Sequence, residues 1–413
     1  MKDRNIVIIG GGAAGMMAAI RASRLKGDVI LIEKNPELGR KLLLTGKGRC
    51  NLTNASDLES FIECFSGNGR FLRDAFKAFS NLDLMNFFED RGVKLKTERQ
   101  RRVFPVSDKA IDILDALKKE LKKNGVKVHY NLEVENIIIK DNKVKGIEVK
   151  GKKNILCDAI ILSTGGVSYA STGSSGEGLK MAERLGHKLI SLRPGLIGLM
   201  TKDKYPRLLQ GMPLKNIRIT FSNGKKKVTS EIGEFMFTDF GISGPLVLTL
   251  SGMVVDWLKA GKKVSAYIDF KPALSEEQID ARFLRELKVN PKKSIKNFLK
   301  GMLPLRLIDV FLEMSDINTD KTAGQVTQRE RRKLLFLFKA LPLKISRPRP
   351  INMAMITKGG ISLKEINPKT MESRRIKRLY FAGEIIDVDA NTGGFNLQAA
   401  FSTGYLAGES AAK

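Results

Sequence analysis

Cysteine is scarce in this chain. Cys50, Cys64 and Cys157 are the whole supply in 413 residues, and an odd number without paired spacing excludes a disulfide framework or a zinc site and points to a reducing compartment, the cytoplasm. No metal site is expected. Long apolar runs are missing too: nothing approaches the ~18 residues that cross a bilayer, and the apolar start at residues 6–9 is interrupted at once by Gly10-Gly11-Gly12, so neither a signal peptide nor a membrane anchor is expected. Histidine is reduced to His129, in a strand pattern, and His187, in a Leu-Gly-His turn behind a helix, and neither context suits a general base.

Acidic residues are in deficit. The chain has 72 Lys and Arg against 44 Asp and Glu, a net charge of +28, which raises the local concentration of anions and suits an acidic small-molecule substrate, a nucleotide cofactor or nucleic acid. General lysine richness explains the same number. The densest clusters, at 99–102, 225–227, 292–293, 329–333 and 374–375, are dispersed, and none alternates with aromatic residues as a nucleic-acid stacking platform does. A small molecule is therefore the expected partner and nucleic acid the disfavoured one.

What is present is glycine in pattern. Val7-Ile8-Ile9 reads as a buried strand running into Gly10-x-Gly12-x-x-Gly15, where glycines permit a tight turn, close approach of backbone to a diphosphate, and close helix packing. Ala13 and Ala14 open the helix that follows, whose first N–H groups have no intrahelical partner and favour an anion. A second strand at 28–32 closes on Glu33, eighteen residues after Gly15. A carboxylate there accepts hydrogen bonds from ribose hydroxyls and repels a 2′-phosphate, so the site favours FAD or NAD over NADP. At the far end, a strand at 378–382 runs into Gly383-Glu384, and Asn391-Thr392-Gly393-Gly394-Phe395-Asn396 turns into a closing helix over 396–412. Its N-terminus can face the N1–C2=O edge of a flavin and stabilise the charge that reduction places there.

Between these ends, apolar spacing predicts helices over 71–91 and 111–123, a strand over 127–131, and an antiparallel meander over 133–140, 143–150 and 154–162 hinged at Asp141-Asn142. The character changes near Ser191. Short alternating strands at 215–221, 226–230 and 264–269 predict an inserted β domain, and 275–340 reads as helices with a capped start at Ser275. The expected fold is α/β: a Rossmann-like dinucleotide domain over 1–190 and 350–413, interrupted by a β-barrel-like insertion over 191–273 and 341–349 that carries a helical subdomain over 274–340.

Several blocks carry a resemblance that covers the chain end to end. Leu38-Gly39-Arg40-Lys41 continues through Thr45-Gly46-Lys47-Gly48-Arg49-Cys50-Asn51; further blocks are Arg102-Val103-Phe104-Pro105, Ser163-Thr164-Gly165-Gly166-Val167-Ser168-Tyr169, Thr172-Gly173-Ser174-Ser175-Gly176-Glu177-Gly178, Phe237-Thr238-Asp239-Phe240-Gly241 and Asn391-Thr392-Gly393-Gly394-Phe395-Asn396. Together they resemble the HI0933-like flavoproteins, a family with aminoacetone-oxidase-type and bile-acid-inducible members. The resemblance implies a glutathione-reductase-type FAD domain, with Lys34, Arg40, Lys41, Gly46, Gly48, Arg49, Cys50, Asn51, Val134, Thr164, Gly165 and Gly166 added to the cofactor contacts. It implies an FAD-dependent oxidoreductase passing hydride from NADH or NADPH to an acceptor such as an activated carbon–carbon double bond; an oxygen-using amine oxidase is the alternative, and an RNA-modifying flavoprotein the alternative of another class. No second glycine fingerprint marks a separate NAD domain, since 173–178 lacks a preceding buried strand. Cys50 and Tyr169 are the catalytic candidates, though a flavin–disulfide mechanism needs a second cysteine nearby, and none has the spacing.

Overall fold

The computed structural model describes residues 4–413, which divide into two units, 4–195 with Ile351–Lys413, and Leu196–Pro350. In the first unit five strands run parallel in the spatial order Leu379–Phe381, Ala159–Leu162, Asn5–Ile9, Asp28–Ile32 and Lys127–His129. Their Ile, Val and Leu content follows from position, because a parallel sheet is covered on both faces and its strands read as continuous apolar runs. Ile6, Ile8, Leu31 and Ile160 are essentially inaccessible. The α/β class and the Rossmann-type sheet are those read from the sequence.

Two helices on this sheet approach unusually closely. A Cβ at Gly404 or Gly408, on the closing helix Phe395–Ala412, would stand 2.2 Å from Ala14 O and 2.3 Å from Ala18 O of the first helix, Ala13–Arg24. Small residues on both sides bring the N-terminal turns of the two helices to one end of the sheet.

The meander forms as Val134–Lys140, Lys143–Val149 and Ile155–Leu156, with Asp141 and Asn142 both left-handed at its hinge (φ 53° and 52°), the backbone of a tight hairpin turn. Its third strand stops early. Asn5 N donates to Asp158 Oδ2 (3.0 Å), and the chain beyond re-enters the parallel sheet as Ala159–Leu162. The single helix expected over 71–91 is likewise two, Arg73–Ala78 and Asn81–Glu89: Ser80 and Asp83 form a reciprocal capping box that starts a new helix after an extended Phe79.

His187 lies in this core. Its Nδ1–H donates to Ala182 O (3.2 Å), its Nε2 accepts from Ser373 Oγ (2.7 Å), and its ring meets the Phe381 edge at 5.0 Å. Burial holds its pKa below the usual 6.5. The unfolded chain therefore binds this proton more readily, so the stability tied to neutral His187 is present above pH 6.5 and declines as pH falls below it. Thermal melts from pH 8 to 5 should show that decline, and His187→Asn should flatten it while lowering stability at pH 8.

In the second unit, six strands close into a barrel: Pro213–Ser222, Gly233–Thr238, Gly241–Ser243, Leu199–Thr201, Leu341–Pro348 and Val264–Asp269, the last pairing back to the first, with Lys227–Thr229 as a flanking seventh. Helices Glu276–Val289, Ile295–Lys300, Leu305–Ser315 and Gln328–Ala340 follow Val264–Asp269, packed on edge-to-face rings of Phe283, Phe298, Phe311 and Phe338. Ser275 and Gln278 cap the first of them reciprocally. The helix Pro245–Lys259 is a departure, since this stretch was expected among short strands; the Pro at its first position, preset for a helix start, is the signal that favours helix there.

Candidate functional site

The glycine turn after Asn5–Ile9 is built for close contact on one side and left open on the other. A Cβ at Gly10 (φ 105°) would lie 2.7 Å from Ser163 O, and one at Gly15 would lie 1.9 Å from Gly10 O. At Gly12, which precedes the first helix turn, a Cβ would meet nothing within 4 Å. This is an open cradle at the positive end of a helix. Beside it Glu33, 8% exposed, accepts from Gly11 N (2.8 Å), Asn35 N (2.9 Å) and Asn35 Nδ2 (2.6 Å).

One elongated cavity runs from this turn along the carboxyl ends of the strands. Of the residues singled out in the sequence, Gly10, Gly12, Ala13, Ala14, Glu33, Lys34, Arg40, Lys41, Val134, Thr164, Gly165, Gly383, Glu384 and Asn396 line it. Leu132 N donates to Glu33 O (3.1 Å), which holds Val134 beside the carboxylate. Thr164 Oγ1 is buried without a partner. The 172–177 segment, to which the sequence assigns no site role, joins the same wall: Lys34 Nζ donates to Ser175 Oγ (2.6 Å) and pairs with Glu177 (2.9 Å), and Asn35 Nδ2 donates to Thr172 O (3.3 Å). Met355 and Ile356 line it as well, an apolar pair with no motif to mark it.

At the other end Glu384 ties four segments together. Lys41 Nζ pairs with its carboxylate; Ser168 Oγ and Thr357 N donate to Oε1, each at 2.6 Å; and Lys41 also donates to Ser168 Oγ (2.6 Å). Thr357 Oγ1 in turn accepts from Val167 N (2.9 Å), and Gly166 packs against that side chain, behind the cavity wall. Glu384 is thus engaged by a cation and two donors.

The loop 45–51 makes an abrupt turn, with Gly46, Lys47, Gly48 and Cys50 all at positive φ. Thr45 reaches the cavity wall; Gly46, Gly48, Arg49, Cys50 and Asn51 do not. Asn51, with its amide turned so that both atoms are satisfied, donates to Thr53 O (3.2 Å) and accepts from Gly394 N (3.1 Å), which fixes the loop to the turn before the closing helix. Asn54 Nδ2 donates to Gly393 O (3.0 Å). In that turn Asn391 is exposed, Phe395 is buried edge-on to Phe61 at 4.7 Å, and Asn396 bonds back to the Ala390 backbone through both amide atoms. Gln398, in the first turn of the closing helix, sits in the core and bonds Thr53 Oγ1, Phe79 O and Ser402 Oγ. Arg49 leaves the cavity to pair with Glu98 and Asp108 over the Phe104 ring.

The two catalytic candidates read differently in place. Cys50 is fully buried and its thiol is pushed up to about 12, so no thiolate is present at neutral pH. Cys50→Ala should leave catalytic turnover within about twofold of wild type in a steady-state assay, because a protonated buried thiol adds packing and not nucleophilicity. Tyr169 is half-buried in a left-handed turn (φ 48°) and off the cavity wall, its carbonyl accepting from Thr172 N and Oγ1.

Comparison with known proteins decides the family. The HI0933-like protein Rossmann domain matches residues 4–410. The chain belongs to the HI0933-like family. This HI0933-like protein is 34% identical, over 99% of both chains, to 3-dehydro-bile acid delta(4,6)-reductase of Clostridium scindens. It is 30% identical to a ribosomal RNA dihydrouridine synthase of Escherichia coli, over 98% of this chain and 97% of that one, and 29% identical to one of Haemophilus influenzae, over 97% and 96%. Its fold is shared with 3-ketosteroid delta1-dehydrogenase from Sterolibacterium denitrificans (TM-score 0.57, 13% identity, all of both chains covered). The HI0933-like protein is an oxidoreductase whose cofactor is FAD. Its residues fit that group: an open cradle at Gly12 for a diphosphate, a buried carboxylate at a strand end, and the unpartnered Thr164 hydroxyl on the same wall. Among the described residues no helix is long and apolar enough to cross a membrane, and no cluster of His, Cys, Asp and Glu could hold a metal ion.

Proposed function

We propose that this protein reduces a carbon–carbon double bond conjugated to a carbonyl group, with NADH or NADPH as the electron donor. The observation that carries this is a chemical common factor. Two differently named kinds of whole-chain relative, one acting on a 3-dehydro-bile acid and the other making dihydrouridine, each saturate a double bond in conjugation with a carbonyl. The FAD-binding role falls to residues 4–190 and 350–413, with 191–273 and 341–349 as the inserted β domain and 274–340 as its helical part. Gly10, Gly12 and Gly15 with Ala13 and Ala14 would receive the diphosphate, Glu33 and Val134 the adenosine, and Thr164, Gly165, Lys41, Gly383 and Glu384 the middle of the cofactor. Thr45, Asn396 and Leu397, on the cavity wall, would border its ring, with loop 46–51 and the turn 391–394 fixed to each other behind them. Bound FAD would supply the hydride-transfer chemistry between the nicotinamide and the double bond. The chain holds the cavity in shape through the Lys41–Ser168–Glu384–Thr357 network, and the first turn of the closing helix on the cavity wall would favour negative charge on a nearby ring edge by ~0.3–1 kcal/mol, more when partly buried. Free thiols and the charge balance suit the cytoplasm.

Anaerobic stopped-flow absorbance tests this. The yellow protein mixed with NADH or NADPH should bleach within one turnover, and a 4-en-3-one steroid or a uridine-containing RNA should restore the colour faster than air does. Recolouring by oxygen alone, or bleaching only by an amine, would replace the reductase reading with an oxidase.

A second reading of the substrate is favoured by two observations together: the +28 charge and the two whole-chain relatives that act on ribosomal RNA. In that reading the reducible bond is C5=C6 of a uracil within RNA.

A further inference from the structure

One helix face of the second unit takes no part in anything described above. On Gln328–Ala340, the residues Arg329, Arg332, Lys333 and Phe336 stand at i, i+3, i+4 and i+7, so they form one stripe, and with Met314 and Pro342 they line a shallow groove. Leu334 and Phe338, on the other side of the helix, are buried in the core, and buried Leu337 forms the floor of the groove. Phe336 is 54% exposed, a large ring left in water among cations.

The helix sorts its cations. Arg331, off the stripe, is tied to Asp280 at 2.8 Å. On the stripe Lys333 pairs with Asp316, while Arg332 has no hydrogen-bond or ion-pair partner among the described residues, and Arg329 only feels Asp316 through space. In sequence the Arg329–Lys333 cluster shows no alternation with aromatics; helical periodicity brings Phe336 alongside it, one turn beyond Arg332 and Lys333.

We propose that this stripe is a docking surface for single-stranded RNA, with the Arg329 and Arg332 guanidiniums on backbone phosphates and Phe336 stacked on a base. The inference rests on the RNA reading of the substrate given above. A guanidinium fork matches a phosphate bidentately, and base–aromatic stacking is indifferent to base identity. A lipid surface is the poorer match: an interfacial helix presents a broad apolar face, and this helix commits that face to the core.

The test measures fluorescence anisotropy of a labelled uridine-rich single-stranded RNA with the FAD-loaded protein across a salt series. Wild type should bind with log affinity falling linearly in log salt. Arg329→Glu with Arg332→Glu should weaken binding at least tenfold, and the neutral double alanine variant should lower the salt slope by about 1.4, two phosphates at ~0.7 each. Phe336→Ala should weaken binding about tenfold at unchanged slope. Replacing both arginines by lysine should keep the slope, which separates lost charge from lost fold. Flavin bleaching by NAD(P)H should be the same in every variant. If wild type does not bind the RNA, or the variants bind it unchanged, docking is overturned; if they instead lose binding to phosphatidylglycerol vesicles, the stripe is a membrane surface and the proposal fails. RNA bound through the stripe by a protein that reduces no double bond leaves docking standing and removes the reductase reading.

Discussion

Gly12→Asp should give a well-folded protein that purifies without colour. The position has ordinary extended backbone (φ −79°, ψ −173°) and open space where its Cβ would stand, so nothing in the fold resists a side chain. Asp is also among the best residues for the position before a helix, where its carboxylate caps the first N–H groups. That same carboxylate would occupy the cradle proposed for the diphosphate. Like charges about 4 Å apart cost ~4 kcal/mol at an effective dielectric of 20, so FAD affinity should fall by about a thousandfold while the far-UV circular dichroism and the melting temperature of apoprotein hold. Gly15→Ala is the contrasting variant: its methyl would stand 1.9 Å from Gly10 O, so flavin and stability should be lost together. A Gly12→Asp protein that keeps its yellow colour through dialysis would remove the diphosphate from this turn.

That contrast shows which parts of the site were legible. The glycine spacing, the apolar strand before it and the carboxylate at the end of the next strand are all local, and local patterns survive in a sequence; the structure brings Gly10, Gly12 and Glu33 to one cavity. The meander hinge was legible for the same reason, since Asp-Asn tolerates the left-handed backbone a tight hairpin requires. What failed was long-range. Nothing near Glu384 announces that Lys41, 343 positions away, will occupy its carboxylate. Nothing near Gln398 announces that Thr53 and Phe79 will draw it into the core. The stretch that forms Pro245–Lys259 is apolar nearly all round, so its periodicity separates helix from strand poorly. Met355 and Ile356 belong to no motif, and apolar wall residues of a cavity are chosen by shape.

Glu33→Gln should be the most damaging isosteric change in the cavity, through hydrogen bonds more than through charge. Both carboxylate oxygens are acceptors here: Oε2 for Gly11 N–H, Oε1 for the backbone and side-chain N–H groups of Asn35. An amide offers one oxygen and one NH2, so in either orientation its NH2 confronts a donor. A buried donor left unsatisfied costs ~1–3 kcal/mol, and the glutamine should therefore destabilise the first unit by about 2–3 kcal/mol even without cofactor. The damage does not stay local, because Gly11 belongs to the diphosphate turn and its carbonyl accepts from Gly39 N (3.0 Å). A loosened turn and a lost ribose acceptor together should weaken FAD binding by at least tenfold. Calorimetry of apoprotein and flavin-fluorescence titration separate the two effects: a lower melting temperature with weaker binding is expected. Unchanged melting with weaker binding would make Glu33 a ligand contact only, and weaker melting with unchanged binding would make it a scaffold carboxylate that the cofactor never touches.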